Sequence, residues 1–283
     1  MIVVSGLADL IFMKGDLFGL GSLVAGIAIA IGSGLLVFEL GRPGQFWRVL
    51  SAQKAVMTVG AWMLSFTIFA SFAYFSFWPG FSPWRKLATL RHLLAAANIL
   101  LGLGVCLYTG ILLGSLRARP FWNTPILPVL FLVSGLSTGV AAQSLLSGKW
   151  PIGLAYDRTV GSSLSALDLV LIIFELMILF IYVLMMRFSS TVVAARIAAS
   201  WLMGWRKWLF WGGLVVFGLL VPGVLCVLPS APSHGLGQAL ILVGGLTLRF
   251  LVVYSDDRAE LPGEGEYYAR LPERDAPFLR AWE

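Results

Sequence analysis

The sequence predicts an all-α integral membrane protein, a bundle of seven full transmembrane helices preceded by one short apolar helix. Two observations support this class. Hydrophobic residues make up 59% of the 283-residue chain and charged residues only 12%, whereas a soluble domain is about one quarter charged. Apolar stretches of about 20 residues also recur along the sequence, and each is long enough to cross roughly 30 Å of hydrocarbon.

The predicted bundle occupies residues 1–254. Its spans cover residues 17–38, 55–79, 92–114, 125–146, 164–187, 207–228 and 235–254. Segment 1–13 is apolar but short, because at about 1.5 Å per residue it covers only roughly 20 Å. It lacks a basic start and a small-residue cleavage site, so we interpret it as a partial span or a re-entrant start and not as a signal peptide.

The tail, residues 255–283, has a different composition. It holds eight acidic residues against four arginines, together with three prolines. We predict an extended, water-exposed segment that lies over the membrane face or over a partner, and not a folded domain.

Cysteine and histidine usage excludes several resident cofactors. Cys106 and Cys226 both fall within spans, and two cysteines cannot supply the four thiolates that an iron–sulfur cluster normally needs. His92 and His234 do not form a buried pair on facing helices, so a bis-histidine haem is not expected. We predict no metal site, haem or cluster in this chain. The net charge of +6 indicates contact with anionic lipid headgroups and not with nucleic acid.

Alternating spans assign the loops to two sides of the membrane. Side A holds loops 39–54, 115–124 and 188–206 and the tail, and side B holds loops 14–16, 80–91, 147–163 and 229–234. Side A carries more Lys and Arg, which favours a cytoplasmic side A if segment 1–13 crosses.

Two side-A loops combine arginine, proline and a Phe-Trp pair, in "GRPGQFWRVLS" and "RARPFWN". Such residues at a helix end are typical membrane-interface anchors, and they are also enriched in protein interfaces. Both interpretations stay open. The candidate docking residues are Arg42, Trp47, Arg117, Arg119 and Trp122.

Ionisable residues inside the membrane are costly and therefore indicate function. Asp168 and Glu175 lie seven residues apart on one helical face. Counted from side B, Asp168 lies roughly 6 Å deep, Glu175 roughly 16 Å, Arg249 roughly 21 Å and Tyr108 roughly 24 Å. Glu39 is at the side-A boundary.

We interpret Tyr108, Glu39 and Arg249 as a quinone-binding site near side A. A phenol can donate to a quinone carbonyl while its ring packs in apolar surroundings. Glu175 and Asp168 then form a proton path toward side B. The alternative is that Arg249 and Glu175 form a structural ion pair between two helices.

Several blocks of the sequence resemble the NrfD/polysulfide reductase membrane-subunit family. They are "FELGRPGQFWRVL", "KAVMTVGAW", "YTGILLGSLRARPFWNTPILPVLFLVSGLSTGVA", the acids of "LDLVLIIFE", and "LVGGLTLRFLVVY". The resemblance spans about residues 17 to 255 and is most specific from the tyrosine to "STG".

The resemblance implies an eight-helix, haem-free anchor in a prokaryotic inner membrane that binds menaquinone or ubiquinone. It also implies docking on an iron–sulfur subunit, itself bound to a molybdenum-containing catalytic subunit. Tyr108 matches the family's quinone-site tyrosine and Glu39 its acidic residue before "LGRP". The charged path matches Asp168, Glu175 and Arg249. The short start, with Asp9 as its one ionisable residue, departs from the family's full first helix.

Two other functions remain possible on the sequence. A small-molecule or ion transporter would use Asp168, Glu175 and Arg249 as a translocation path, but such sites usually lie at broken helices in repeated halves. Pro222-Gly223 interrupts one span, and no second copy is evident. The third possibility is a purely structural anchor.

Overall fold

The computed structural model describes residues 1–12, 19–38, 43–51, 56–78, 83–84, 87–149, 158–189, 191–227 and 231–258, and no β-strand is present in these ranges. Its α-helices are α1 Ile2–Phe12, α2 Gly19–Phe38, α3 Trp47–Ser51, α4 Val56–Phe75, α5 Ala88–Gly114, α6 Ile126–Lys149, α7 Arg158–Arg187, α8 Val192–Leu202, α9 Val221–Val227 and α10 Ala231–Val253. A 3₁₀ turn, Pro43–Gln45, precedes α3, and a π-helix, Trp208–Leu220, runs directly into α9.

Within the residues that the structure describes, seven helical segments are long and apolar enough to cross a membrane, which confirms the predicted class. They are Gly19–Phe38, Val56–Phe75, Ala88–Gly114, Ile126–Leu146, Ser163–Arg187, Trp208–Val227 and Gly235–Val253. The N-terminal boundary of α5 differs from the prediction: the helix begins at Ala88, whereas the predicted span begins at residue 92. Arg91 therefore belongs to the first turn of a span and not to the preceding loop.

Helices also form within two predicted loops. The short helix α3 lies in loop 39–54, and α8 lies in loop 188–206. Helix α8 buries Ala194, Ile197, Ala198 and Trp201, a spacing of three and four residues that places all four on one face. It is thus an amphipathic helix packed against the bundle on side A.

The short helix α1 packs along the side-B half of α5. A Cβ on Gly102 of α5 would lie 2.7 Å from Cγ2 of Val3, and one on Gly6 would lie 2.8 Å from the carbonyl oxygen of Ala95. These glycines let the two backbones approach closely. The predicted short apolar segment is therefore an 11-residue helix inside the bundle.

An aromatic core joins the side-A ends of the C-terminal helices. The ring of Phe121 meets Trp201 edge-on with centroids 5.0 Å apart, and it meets Tyr182 at 5.3 Å. The Tyr182 hydroxyl donates to the carbonyl of Phe121 at 2.8 Å. This core connects loop 115–125 with α7 and α8.

The π-helix meets α10 at two glycines. A Cβ on Gly244 of α10 would lie 2.5 Å from Cα of Gly218, so the two backbones touch. Pro222 follows the π-helix and has no N–H to donate, which favours an irregular hydrogen-bond pattern in the preceding turns. This crossing sets the position of α10, the helix that carries Arg249.

Candidate functional site

Arg249 points from α10 toward the middle of the bundle. Its Nη1 donates to the carbonyl of Gly245 at 2.9 Å, and its Nη2 would lie 3.9 Å from a Cβ on Gly135 of α6. A Cβ on Gly245 would lie 3.1 Å from Nη1 and would overlap Thr138. The two glycines therefore provide the space in which the guanidinium lies between α10 and α6.

Glu175 faces the same region from α7. It is 2% exposed, and its carboxyl group lies beside the hydroxyls of Ser134 and Ser137 and within electrostatic reach of Arg249. The two serines are fully buried and stand one turn apart on α6. The structure thus places Glu175 and Arg249 in the same region of the bundle, within electrostatic reach of each other, but they form no ion pair in the described part of the chain.

Asp168 is fully buried on the same face of α7, two turns toward side B. Gln238 of α10 and Cys226 of α9 are its polar neighbours. Both carboxyl oxygens and Oε1 of Gln238 lack a hydrogen-bond partner within the described part of the chain. Unpaired buried polar atoms are unfavourable, so burial of this carboxyl group has a cost that the surrounding packing must offset.

Tyr108 lies on another face of α5 from the one that approaches Arg249. Cys106 is within electrostatic reach of Arg249, whereas Tyr108, two residues later, is turned by about 200° around the helix. The Tyr108 ring covers Gly60 of α4, where a Cβ would overlap the ring and its hydroxyl. The side chain is partly exposed, and its hydroxyl has no hydrogen-bond partner among the described residues. The structure therefore places Tyr108 and Arg249 against different faces of α5.

The remaining predicted residues divide into three groups. Glu39 and Arg42 lie outside the described residues. Trp47 and Arg117 are exposed on side A. Arg119 and Trp122 contact the C-terminal end of α10 and the residues after it: Arg119 pairs with Asp256 at 2.6 Å, and the buried Trp122 donates from Nε1 to the carbonyl of Val252 in the last turn at 2.8 Å.

Sequence reasoning missed a second polar cluster, near side B. Nε of Arg91 lies 3.2 Å from Oδ2 of Asp9, which is fully buried in α1. The Arg91 guanidinium also stacks over Trp78, 5.3 Å from the ring centroid, and Tyr74 lies beside Asp9. The sequence did show one signal, the acidic residue Asp9 in the otherwise apolar segment 1–13. Its partner Arg91 was assigned to loop 80–91, so the pair was not predicted.

The fold and site define a class. The protein is a multi-pass helical membrane protein with buried acids and an arginine facing one another inside the bundle. In the described part of the chain, no group of three His, Cys, Asp or Glu residues could hold a metal ion.

Comparison with known proteins names the family. The family described as Polysulphide reductase, NrfD matches residues 13–256. The C subunit of polysulfide reductase from Wolinella succinogenes is 34% identical over 261 residues, covering 83% of this chain and 80% of that protein. Protein NrfD of Escherichia coli is 32% identical over 153 residues, covering 52% of this chain and 48% of that protein. A Haemophilus influenzae homologue of NrfD is 30% identical over 159 residues, covering 52% and 47%. The chain therefore belongs to the polysulphide reductase, NrfD family.

Proposed function

We propose that this chain is the quinone-reactive membrane anchor of a multi-subunit respiratory oxidoreductase in a prokaryotic inner membrane. It exchanges electrons between a docked iron–sulfur subunit and menaquinone or ubiquinone, and a molybdenum-type subunit completes the complex. Membership of the NrfD family supports the role of a subunit within a larger complex. The two cysteines cannot supply the four thiolates of an iron–sulfur cluster, and the two histidines do not form a buried pair on facing helices, so we assign the redox centre to the partner.

The observation that carries the proposal is the Tyr108 hydroxyl. It is partly exposed, packs over a glycine of α4, and has no partner in the described part of the chain. A phenol in apolar surroundings gains from a hydrogen bond to a ligand carbonyl, because water is scarce there. A quinone supplies two such carbonyls and takes up protons when it is reduced. Tyr108 would hold one carbonyl, with Glu39 and Arg249 on the same side of the membrane.

Protons reach such a site from water through groups of this protein. The short route uses Glu39 at the side-A boundary. The long route runs from Asp168 near side B to Glu175 and Arg249, with the hydroxyls of Ser134 and Ser137 beside Glu175. In the long route Arg249 stabilises the charged form of Glu175 after a proton leaves. Turnover by that route moves charge across the membrane.

Replacement of Tyr108 by phenylalanine tests the proposal. We expect the complex to assemble and its quinone-dependent turnover to fall about tenfold, since one buried hydrogen bond is lost while ring packing stays. The measurement is steady-state quinone reduction or quinol oxidation by the purified complex. Tyr254→Phe, at an exposed position after α10, is the matched control and should keep the wild-type rate. Equal rates in the two variants would remove Tyr108 from the site.

The side-A docking surface is tested separately at Arg117. The Arg117 side chain is exposed, whereas Arg119 pairs with Asp256 of the same chain. Of these two arginines, Arg117 is therefore the one whose replacement tests partner binding without breaking an ion pair within the chain. We expect Arg117→Ala to weaken retention of the iron–sulfur subunit in a pull-down, most strongly at low salt, because salt screens the contribution of this charge in the wild type. Arg196→Ala removes the same charge at an exposed position of α8, and this variant should retain the iron–sulfur subunit. Full retention by the Arg117 variant would identify this arginine as a membrane anchor.

A further inference from the structure

The end of α10 is held by one saturated hydroxyl group. Ser255 is fully buried directly after the helix. Its Oγ donates to the carbonyl of Leu251 at 2.7 Å and accepts from Nε1 of Trp201 at 2.9 Å and Nη1 of Arg206 at 3.0 Å. A serine hydroxyl has one donor and two acceptor positions, so its full capacity is used.

Neighbouring contacts hold the same segment. Arg206 also donates from Nη2 to the carbonyl of Tyr254 at 2.7 Å, and Trp122 donates to the carbonyl of Val252. The last carbonyls of a helix have no partner within the helix. Arg206 supplies a donor to the carbonyl of Tyr254, and Trp122 adds a second donor to the carbonyl of Val252, which also accepts the N–H of Ser255 at 3.1 Å. Indole and guanidinium groups from loop 115–125, from α8 and from the turn between α8 and the π-helix thus converge on residues 252–255.

These contacts determine where Arg249 lies. Arg249 precedes Ser255 by six residues, about 9 Å along the helix axis. On its other side, Gly244 touches the backbone of Gly218. Helix α10 is therefore held on both sides of the turn that carries Arg249, by Gly244 before it and by Ser255 after it. The rotation and depth of the helix at that turn depend on these two contacts.

We propose that Ser255 is a positioning residue for Arg249. By holding the end of α10 against Trp201 and Arg206, it keeps the Arg249 guanidinium beside Glu175. Ser255 does not contact the site itself and acts through the position of the helix. This inference rests on the proposed function, because the effect is read as quinone-dependent turnover.

The first test uses three variants of the intact complex. Ser255→Ala removes the hydroxyl and should lower turnover about tenfold with the subunits still bound, because small displacements of positioned groups are costly. Ser255→Thr keeps a hydroxyl and should restore most of the rate. Ser115→Ala is the matched control: its Oγ makes the same kind of bond, to the carbonyl of Leu112 at 2.7 Å, at an exposed helix end. It should behave as wild type.

A second test separates positioning from general weakening of the fold. If Ser255 acts through Arg249, Ser255→Ala should cause little further loss in an Arg249→Lys background, whereas independent effects would multiply. Should Ser255→Ala fail to assemble, Arg206→Gln, which removes one donor to Ser255, takes its place in the same comparison and should show the same non-additivity.

Three results would overturn the inference. One is wild-type turnover by an assembled Ser255→Ala complex. Another is the same fold-loss from Ser255→Ala in the wild-type and in the Arg249→Lys backgrounds. The third is wild-type turnover by Arg249→Lys alone with Ser255→Ala still slow, which would show that Ser255 acts elsewhere. Wild-type turnover by the Tyr108→Phe variant would contradict the proposed function and not this inference. The non-additivity of Ser255→Ala and Arg249→Lys could still be measured in that case.

Discussion

Replacement of Gly60 by alanine is expected to reduce quinone-dependent turnover about a hundredfold, more than removal of the Tyr108 hydroxyl does. A Cβ at this position would overlap the Tyr108 ring, so the ring must leave its place or α4 must separate from α5. Either movement carries the phenol away from its ligand. Alanine is itself the better helix former, by about 1 kcal/mol, so helix propensity cannot explain a loss.

The control for this variant is Gly32→Ala. Gly32 also lies within a span, but a Cβ there would meet nothing within 4 Å. The two variants make the same chemical change in helices of equal length, 20 residues each, and differ in whether Tyr108 is displaced. Both complexes are first checked for assembly by size-exclusion chromatography. Equal turnover in the two would show that the ring over Gly60 is not part of the quinone site.

Glu175→Gln is expected to abolish charge movement across the membrane. Glutamine has nearly the same shape and can still contact Ser134 and Ser137, but it cannot release or accept a proton at neutral pH. The quinone site should remain occupied, because Tyr108 lies on a different helix. The measurement is a membrane-potential dye signal during turnover by the whole complex in proteoliposomes.

The exposed residue Asp257 offers a matched control on the same protein. Asp257→Asn makes the same acid-to-amide change outside the predicted path and should preserve the signal. Undiminished charge movement in the Glu175 variant would identify the Glu175–Arg249 pair as a structural contact between helices. Charge movement that needs neither quinone nor a partner subunit would support the transporter interpretation instead.

The positions of the spans could be predicted from the sequence with little error. The bilayer requires about 20 apolar residues per helix, so length and composition alone locate each crossing. The shared buried face of Asp168 and Glu175 was also readable, because seven residues complete two turns. Helix α8 was missed, although Ala194, Ile197, Ala198 and Trp201 follow a helical period, because a helix lying on one side of the membrane needs no long apolar run.

Contacts between helices were much harder to read. Arg119 and Trp122 resemble docking residues in sequence, yet they bind Asp256 and the carbonyl of Val252 in their own chain. Asp9 and Arg91 form an ion pair between α1 and α5, which are far apart in the sequence. Periodicity describes one helix at a time and cannot report which neighbour a side chain meets.

The sequence by itself therefore determined the class and the number of apolar spans. Those properties depend on hydrophobic length and on rise per residue, which are local. The tertiary structure decided which groups meet, Tyr108 with Gly60 and Ser255 with Trp201 and Arg206, and it placed Arg249 within electrostatic reach of Glu175. The rotation of each helix about its axis is set by close contacts at small residues such as Gly218 and Gly244, and these form only when the bundle is packed.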